Sequence, residues 1–480
     1  MPVTSEFNAF TSLADEDLSL LRSLGCNVLR VGVMWPGVEP SRGQYNLTYL
    51  QALADLTSRA SAYGIYSVLD MHQDDLSELF CGEGIPLWAA DRALAAARES
   101  GQWVLPFPSP VELLPWDASH FETSTGYALP TKQACARHDW PSYQLAQATG
   151  VGYQMLYTLP ELTLAWADMW RTVASFFRGH TEVLGYEIIN EPFAGNPYQH
   201  PSRVLPGVSD RELLQPAYDS VSSAIRSVHP DALVLFAGVT WDDLGTGFTH
   251  PPGGAQFANF SVSAFHYYEP PQFKDSEQAY YGVRCADAAR LQTGAFVTEM
   301  ASPDKGNNYD AVADAADAHG LSYMMWEYKD FCLENDQSRT WPSQNSAYGS
   351  CKTGFGGGVW DAQGQLVAEQ ARRMARAYPQ AVAGELQSFS FNVSSSALHL
   401  SFRLDAKAQL PTEVFVSETY HYPLGLQVLA SPSGHVAWTR DATRHLLLLT
   451  PTALAVDGEI ISVSVTPASA PATDTLTASQ

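Results

Sequence analysis

The sequence predicts an α/β fold, a (β/α)8 TIM barrel followed by a C-terminal β-sandwich domain, and three observations lead there. Short apolar runs alternate with amphipathic segments through most of the chain. Runs buried on both faces, each followed by a helix, belong to parallel sheets. Polar residues also gather where the runs end: His72, Asn190 with Glu191, His266, Glu299 and Trp326. In a closed parallel barrel such tips converge on one face, whereas an open doubly wound sheet would spread them, and no G-x-G-x-x-G follows the first strand. After Pro379 the pattern changes to period-two alternation with turn residues between the runs, as in a β-sandwich.

The elements follow in order. A helix-like segment at 12–24 precedes the strand "NVLRVGVMW" (27–35), the helix at 47–64 closed by Gly64, and the strand "IYSVLDMH" (65–72). A long irregular insertion, 73–158, is rich in Pro, Trp and Gly. Then come the helix "LPELTLAWADMWRTVASFFRG", the strand "VLGYEIIN", a helix near 209–228 and the strands "ALVLFAG" and "FSVSAFHYY". A helix at 275–291, the strand "GAFVTEM", a helix at 308–319, the strand "LSYMMWEY" and a helix at 365–378 complete the barrel over 1–379. Seven strands are visible, and the missing first one is expected to lie outside this sequence, through truncation or a misplaced start. The sandwich is expected over 380–467, with a disordered, weakly hydrophobic tail at 468–480.

Composition narrows the function. Lys and Arg total 27 against 51 Asp and Glu, a net charge of −24, which argues against nucleic acid and against unaided attraction to anionic lipid. No run approaches the ~18 apolar residues of a membrane span, and no signal peptide is visible in this chain. Sequons at Asn46, Asn259 and Asn392 and the acidic balance point to a secreted or lysosome- or vacuole-like compartment. Six cysteines occur without CxxC spacing. Either Cys81 with Cys135 and Cys332 with Cys351 staple two loops, or all six are small buried thiols. The expected state is a monomer.

Two carboxylates stand at separate strand tips: Glu191 in "GYEIINEPFAG" and Glu299 in "FVTEM". Cleaving a glycosidic bond requires one carboxylic acid to protonate the leaving oxygen while a carboxylate attacks the opposite face of the ring. Rigid strand ends suit that demand, because a ~1 Å misplacement can cost about a hundredfold in rate. "HQDD" at 72–75 has the flavour of a metal site, but His72 and Asp74 lack a further His or Cys at ligand spacing, and no metal or cofactor is expected.

"GYEIINEPFAG", "VLDMHQD", "AFHYY", "FVTEM" and the Trp of "YMMWEY" together resemble the retaining glycoside hydrolases of family 5. Within these, "NVLRVGVMWPGVEPSRGQYNLTYL", "IPLWAA", "NEPFAG" and "YPQAVAGELQSF" resemble endoglycoceramidases, and the likeness spans nearly the whole chain. The resemblance implies Glu191 as general acid/base, Glu299 as nucleophile, and Asn190 as the partner of the sugar 2-hydroxyl. It places Tyr268 against the nucleophile, with His266 orienting the H-x-Y pair and Arg30 supporting Glu299 from a buried position. His72 and Asp74 match a sugar-binding pair, and Trp88 and Trp326 offer flat faces to a pyranose. The family's first strand carries a polar residue, a lysine in the nearest relatives, and Met1 aligns beyond it.

The implied reaction is hydrolysis of the glycan–ceramide linkage of a glycosphingolipid or another β-glycosylated lipid. An exo-acting β-glucosylceramidase or steryl-β-glucosidase would use the same chemistry in a closed glucose pocket. A third reading is a catalytically impaired carbohydrate- or lipid-binding barrel, favoured only by the missing strand. The loop "VLPFPSPVELLPW" (104–116) either lines a ceramide slot, with transient contact to a membrane surface, or forms a packed lid. The segment from Trp326 to Gly358 is longer than a minimal member needs and borders the expected cleft.

Overall fold

The computed structural model describes residues 4, 6–8, 12–240, 244–269, 275–303, 309–329, 358–361 and 363–468. Contacts divide the chain into two units: Met1–Leu18, Asn27–Asn307 and Ser322–Gln365, then Ser19–Cys26, Asn308–Leu321 and Leu366–Gln480. In the first unit seven strands form one parallel sheet in chain order. They are β1 (Val28–Gly32), β2 (Tyr66–Asp70), β3 (Val183–Glu187), β4 (Leu233–Ala237), β5 (Ser261–Tyr267), β6 (Gly294–Ala301) and β7 (Ser322–Trp326). The sheet curls until β7 lies beside β1, with no pairing between these two edges among the described residues. A TIM-like barrel results, closed except at that seam.

Helices Leu47–Ala62, Pro160–Phe177, Gln215–Val228 and Glu277–Leu291 follow β1, β2, β3 and β5. Pro160 fits the first helical turn, where no N–H partner is needed. Behind it Leu162, Trp166, Met169, Trp170, Val173 and Phe177 recur at helical spacing and are all buried. Trp170 finds its indole partner in the Ile188 carbonyl at 2.9 Å, which fixes this helix against the end of β3.

Inside the barrel the lower layer is apolar: Val68, Leu235, Ala237, Ala264 and Met324, with Val28, Val262 and Phe296 against them. Side chains two apart on a strand share a face. Two residues further along these rows stand Arg30, Asp70, His266, Thr298 and Trp326, so the polar site sits directly on an apolar plug. Register slips between Phe265 and His266 and between Val297 and Met300 occur where β5 and β6 reach that layer. Such irregularities re-aim side chains at the rims of barrels.

The stretch 73–158 is ordered by more than its irregular composition suggested. Helices Leu87–Glu99 and Gln147–Thr158 flank a hairpin of Phe121–Ser124 and Tyr127–Pro130. The alanines of Leu87–Glu99 turn its inner face (Ala89, Ala90, Ala93, Ala96, Ala97) into a close-packing surface. A disulfide joins Cys81 to Cys135, beside a cluster of Phe107, Trp116 and Tyr143. Of the two alternatives for the cysteines, the staple holds for this pair, while Cys26 and Cys285 are free thiols. Cys332 and Cys351 lie outside the described residues.

In the second unit eight strands form two four-stranded antiparallel sheets. One contains β8 (Tyr378–Ala381), β11 (Thr412–Phe415), β14 (Leu446–Pro451) and β13 (Val436–Asp441) in that order. The other contains β9 (Gly384–Asn392), β10 (Ala397–Leu404), β15 (Ile460–Pro467) and β12 (Leu426–Ser431). Alternate residues of both, including Leu398, Leu400, Phe402, Val414, Leu447 and Val463, meet in one core, which makes the unit a sandwich. The tail from 469 lies outside the described residues.

Candidate active site

The site is organised around one guanidinium. Arg30 of β1 donates from Nε to Glu187 at 2.7 Å, from one terminal nitrogen to Glu299 at 2.8 Å, and from the other to Asn190 at 2.8 Å. Asp70 lies 3.1 Å from that last nitrogen. Four strands, β1, β2, β3 and β6, thus aim polar side chains at one point. Burial works against the charge on Arg30, but Asp70, Glu187 and Glu299 outweigh it and hold it firmly protonated. Burial raises Glu187, with Arg30 pulling the other way, and Thr298 donates to its second oxygen at 3.1 Å. Breaking a buried pair by removing one partner typically costs about 3–5 kcal/mol. Arg30→Met is therefore expected to lower unfolding stability by at least about 3 kcal/mol, read from denaturant midpoints, since three buried acids lose one cation.

Glu299 is held on both oxygens, by Arg30 on one and by the Tyr268 hydroxyl at 2.8 Å on the other. Glu191 is held differently. His266 Nδ1 lies 2.8 Å from Glu191 Oε1 and 3.3 Å from Glu299 Oε2, between the two acids. One oxygen of Glu191, one of Glu299 and this nitrogen all fall within 4.8 Å of one another. Burial, with repulsion from Asp74, pushes the Glu191 carboxyl up to about 7. Burial also lowers His266 against the pull of Glu299, favouring the neutral ring. The Glu191 backbone sits at φ 37°, a left-handed conformation that costs a residue with a Cβ about 1–3 kcal/mol.

Beside the acids, His72 Nδ1 lies 2.9 Å from Asp70 and its Nε2 lies 3.7 Å from Asp74. Burial opposes a charge on this ring, but the carboxylates of Asp70 and Asp74 prevail and raise it well above the usual imidazole range. Trp326 stacks on His72 with centroids 5.1 Å apart and planes 3° from parallel, forming a flat wall. Trp88 packs edge-on against Trp35 at 5.9 Å under the Arg42 guanidinium, with its indole 3.3 Å from the Glu39 carbonyl. In the 104–116 loop Trp116 is buried, whereas Leu113 and Leu114 are 92% and 78% exposed.

Two donor sets merit a metal test: Glu191, His266 and Glu299, and His72, Asp74 and Glu83. Backbone pairing of Asp74 with Glu83 supplies the third donor that residue spacing did not reveal. In both sets the donors already have protein partners: His72 lies between Asp70 and Asp74, and Glu299 accepts from Arg30 and Tyr268. Residue patterns also missed Asp70, Gln73, Glu187 and Thr298. The available signal was a charge in the middle of an apolar strand, as at Glu187 in "GYEIIN", because Glu is almost never fully buried unless paired.

A parallel barrel with two carboxyl groups facing each other over its C-terminal end is the frame of an enzyme that hydrolyses O-glycosyl bonds. The chain belongs to glycoside hydrolase family 5: residues 4–331 match the cellulase (glycosyl hydrolase family 5) model, and 376–465 match the family 5 C-terminal domain. It is 37% identical over 438 residues to an endoglycoceramidase of Cyanea nozakii, covering 89% of this chain and 80% of that protein. Identity to an endoglycoceramidase of Hydra vulgaris is 35% over 439 residues, covering 90% and 77%. Endo-glycoceramidase II from Rhodococcus sp. has the same fold, with a TM-score of 0.70 at 21% identity over 98% of this chain and 96% of that one.

Proposed function

We propose that this glycosidase hydrolyses the bond between the glycan and ceramide of glycosphingolipids by double displacement, with Glu299 as nucleophile and Glu191 as general acid/base. The observation that carries the reading is the approach of one oxygen from each acid to within 4.8 Å. Retaining glycosidases hold their carboxyl groups about 5–5.5 Å apart, and inverting ones leave room for a water at about 6.5–9.5 Å. Glu299, oriented by Arg30 and Tyr268, attacks the anomeric carbon while Glu191 gives its proton to the departing ceramide oxygen. Glu191, now a carboxylate, takes a proton from the water that releases the sugar from Glu299. The second amide hydrogen of Asn190 faces the 2-hydroxyl, a contact that strengthens as charge develops at the neighbouring carbon. His72, Asp74 and the Trp326 face bind the sugar.

Support for a lipid aglycone comes from the two relatives named endoglycoceramidase and from the bare leucines at 113 and 114. The test is to incubate the protein with glucosylceramide, lactosylceramide and a ganglioside. Intact lactose and intact ganglioside glycan should appear with ceramide. Faster turnover of the monohexosyl lipid, or release of single terminal sugars, would replace this reading with an exo-acting one.

A further inference from the structure

We propose that Gln73 is a positioning residue for the general acid/base, acting on its backbone and not on the substrate; this rests on the assignment of Glu191 above. Gln73 follows His72 at the end of β2 and is fully buried. Its amide nitrogen donates to the carbonyl of Asn190 at 2.7 Å and to that of Glu191 at 2.9 Å. Its amide oxygen accepts from the Leu76 N–H at 2.9 Å and from the Tyr153 hydroxyl at 2.6 Å. Both donors and both acceptor positions are used, so the amide has a single orientation. Asn190 returns a bond from its side chain to the Gln73 carbonyl at 2.9 Å.

The two carbonyls so held flank a backbone position that resists its own conformation, Glu191 at φ 37°. A residue at positive φ persists only where its surroundings over-determine it. Released from Gln73, the peptide between Glu191 and Pro192 can rotate, and the carboxyl swings with it. The far side of the clamp is the helix Gln147–Thr158. Tyr153 is completely buried, meets Phe193 with ring centroids 5.9 Å apart, and points its hydroxyl at Gln73. On the same helix Gly150 lies so close to the Gly195 carbonyl that an added Cβ would stand 2.8 Å from it. The insertion therefore reaches the reacting groups through Tyr153 and Gln73.

The experiment compares Gln73→Met, Tyr153→Phe and Glu191→Gln on two substrates, lactosylceramide and 2,4-dinitrophenyl β-lactoside, with melting temperature followed alongside. The dinitrophenolate leaves without protonation, so formation of the glycosyl-enzyme no longer depends on the acid. A carboxyl displaced by ~1 Å predicts that Gln73→Met loses roughly 100-fold in kcat on lactosylceramide, with KM changed less than about threefold. The loss on first-turnover dinitrophenolate release should be less than about tenfold. Tyr153→Phe should show the same bias at about a tenth of the size, and it carries the test if Gln73→Met does not fold. Equal losses on both substrates, or no loss in Tyr153→Phe and Gln73→Met alike, overturn the proposal. If Glu191→Gln itself shows no leaving-group bias, the acid/base assignment fails instead, and the two failures are distinct.

Discussion

Glu299→Gln is expected to leave a folded protein with essentially no turnover, a fall in kcat of at least about 10⁴-fold on lactosylceramide. Removing a covalent nucleophile blocks both halves of a double displacement, and losses on the order of 10⁶ are known where such a group acts as part of a unit. The amide keeps the size of the side chain and one acceptor for the Arg30 donor now 2.8 Å from Oε1. The Tyr268 hydroxyl, 2.8 Å from Oε2, would instead face an NH2 group. Asp70 and Glu187 still share Arg30, so the cluster retains its cation and the fold persists. Two readouts check this. Lactosylceramide hydrolysis should vanish, and a 2-fluoro-2-deoxy glycoside that leaves a covalent adduct on the parent should leave none on the variant. A variant that keeps more than about 1% of parental kcat, or that is still labelled at another residue, would move the nucleophile elsewhere.

Much of this site could be read from residue order because its parts sit at strand ends, where polar residues interrupt otherwise apolar runs. Glu191, His266 and Glu299 each end such a run, and the structure gathers them within a few ångströms. The barrel was legible for the same reason: two-sided strands have no choice but to carry continuous apolar runs. What failed to register were residues whose signal is two-dimensional. Glu187 and Asp70 become partners of Arg30 only once β1, β2 and β3 are adjacent and in register. Glu83 reaches Asp74 through a loop that doubles back, which no periodicity encodes. Trp88 meets Trp35 and the Glu39 carbonyl, contacts that residue order does not encode. In the sandwich β12 and β13 are both edge strands, and half-exposed "LQVLAS" and charge-bearing "VAWTRD" carry little apolar signal. Helices at 87–99 and 147–158 were hidden by the Pro and Gly content of the segment around them.

Glu191→Gln should have opposite effects on catalysis and on stability, and the two are separable by pH. Catalytically, loss of a general acid costs about 10²–10⁴-fold. That loss should fall on lactosylceramide far more than on a dinitrophenyl lactoside, and azide should restore turnover by attacking the glycosyl-enzyme without help from a base. In the parent, Glu191 must be protonated to act, so kcat/KM should decline above pH about 7, the value to which its burial raises it. Stability follows from the same proton. The carboxyl rises from an ordinary 4.5 to about 7 on folding, so the folded state binds this proton more tightly than the unfolded chain. Below pH ~4.5 both states are protonated and the site costs nothing; as pH climbs through ~7 the native protein loses stability, and the cost is complete above that. At 1.36 kcal/mol for each pH unit the full cost is about 3 kcal/mol. A glutamine never ionises, so the variant should match the parent in denaturant titrations at pH 4 and exceed it by up to about 3 kcal/mol at pH 8. A gap that is constant with pH, or largest at pH 4, would mean that Glu191 does not hold its proton against burial. A variant losing equally on both lactosyl substrates would mean that it does not deliver that proton to the leaving oxygen.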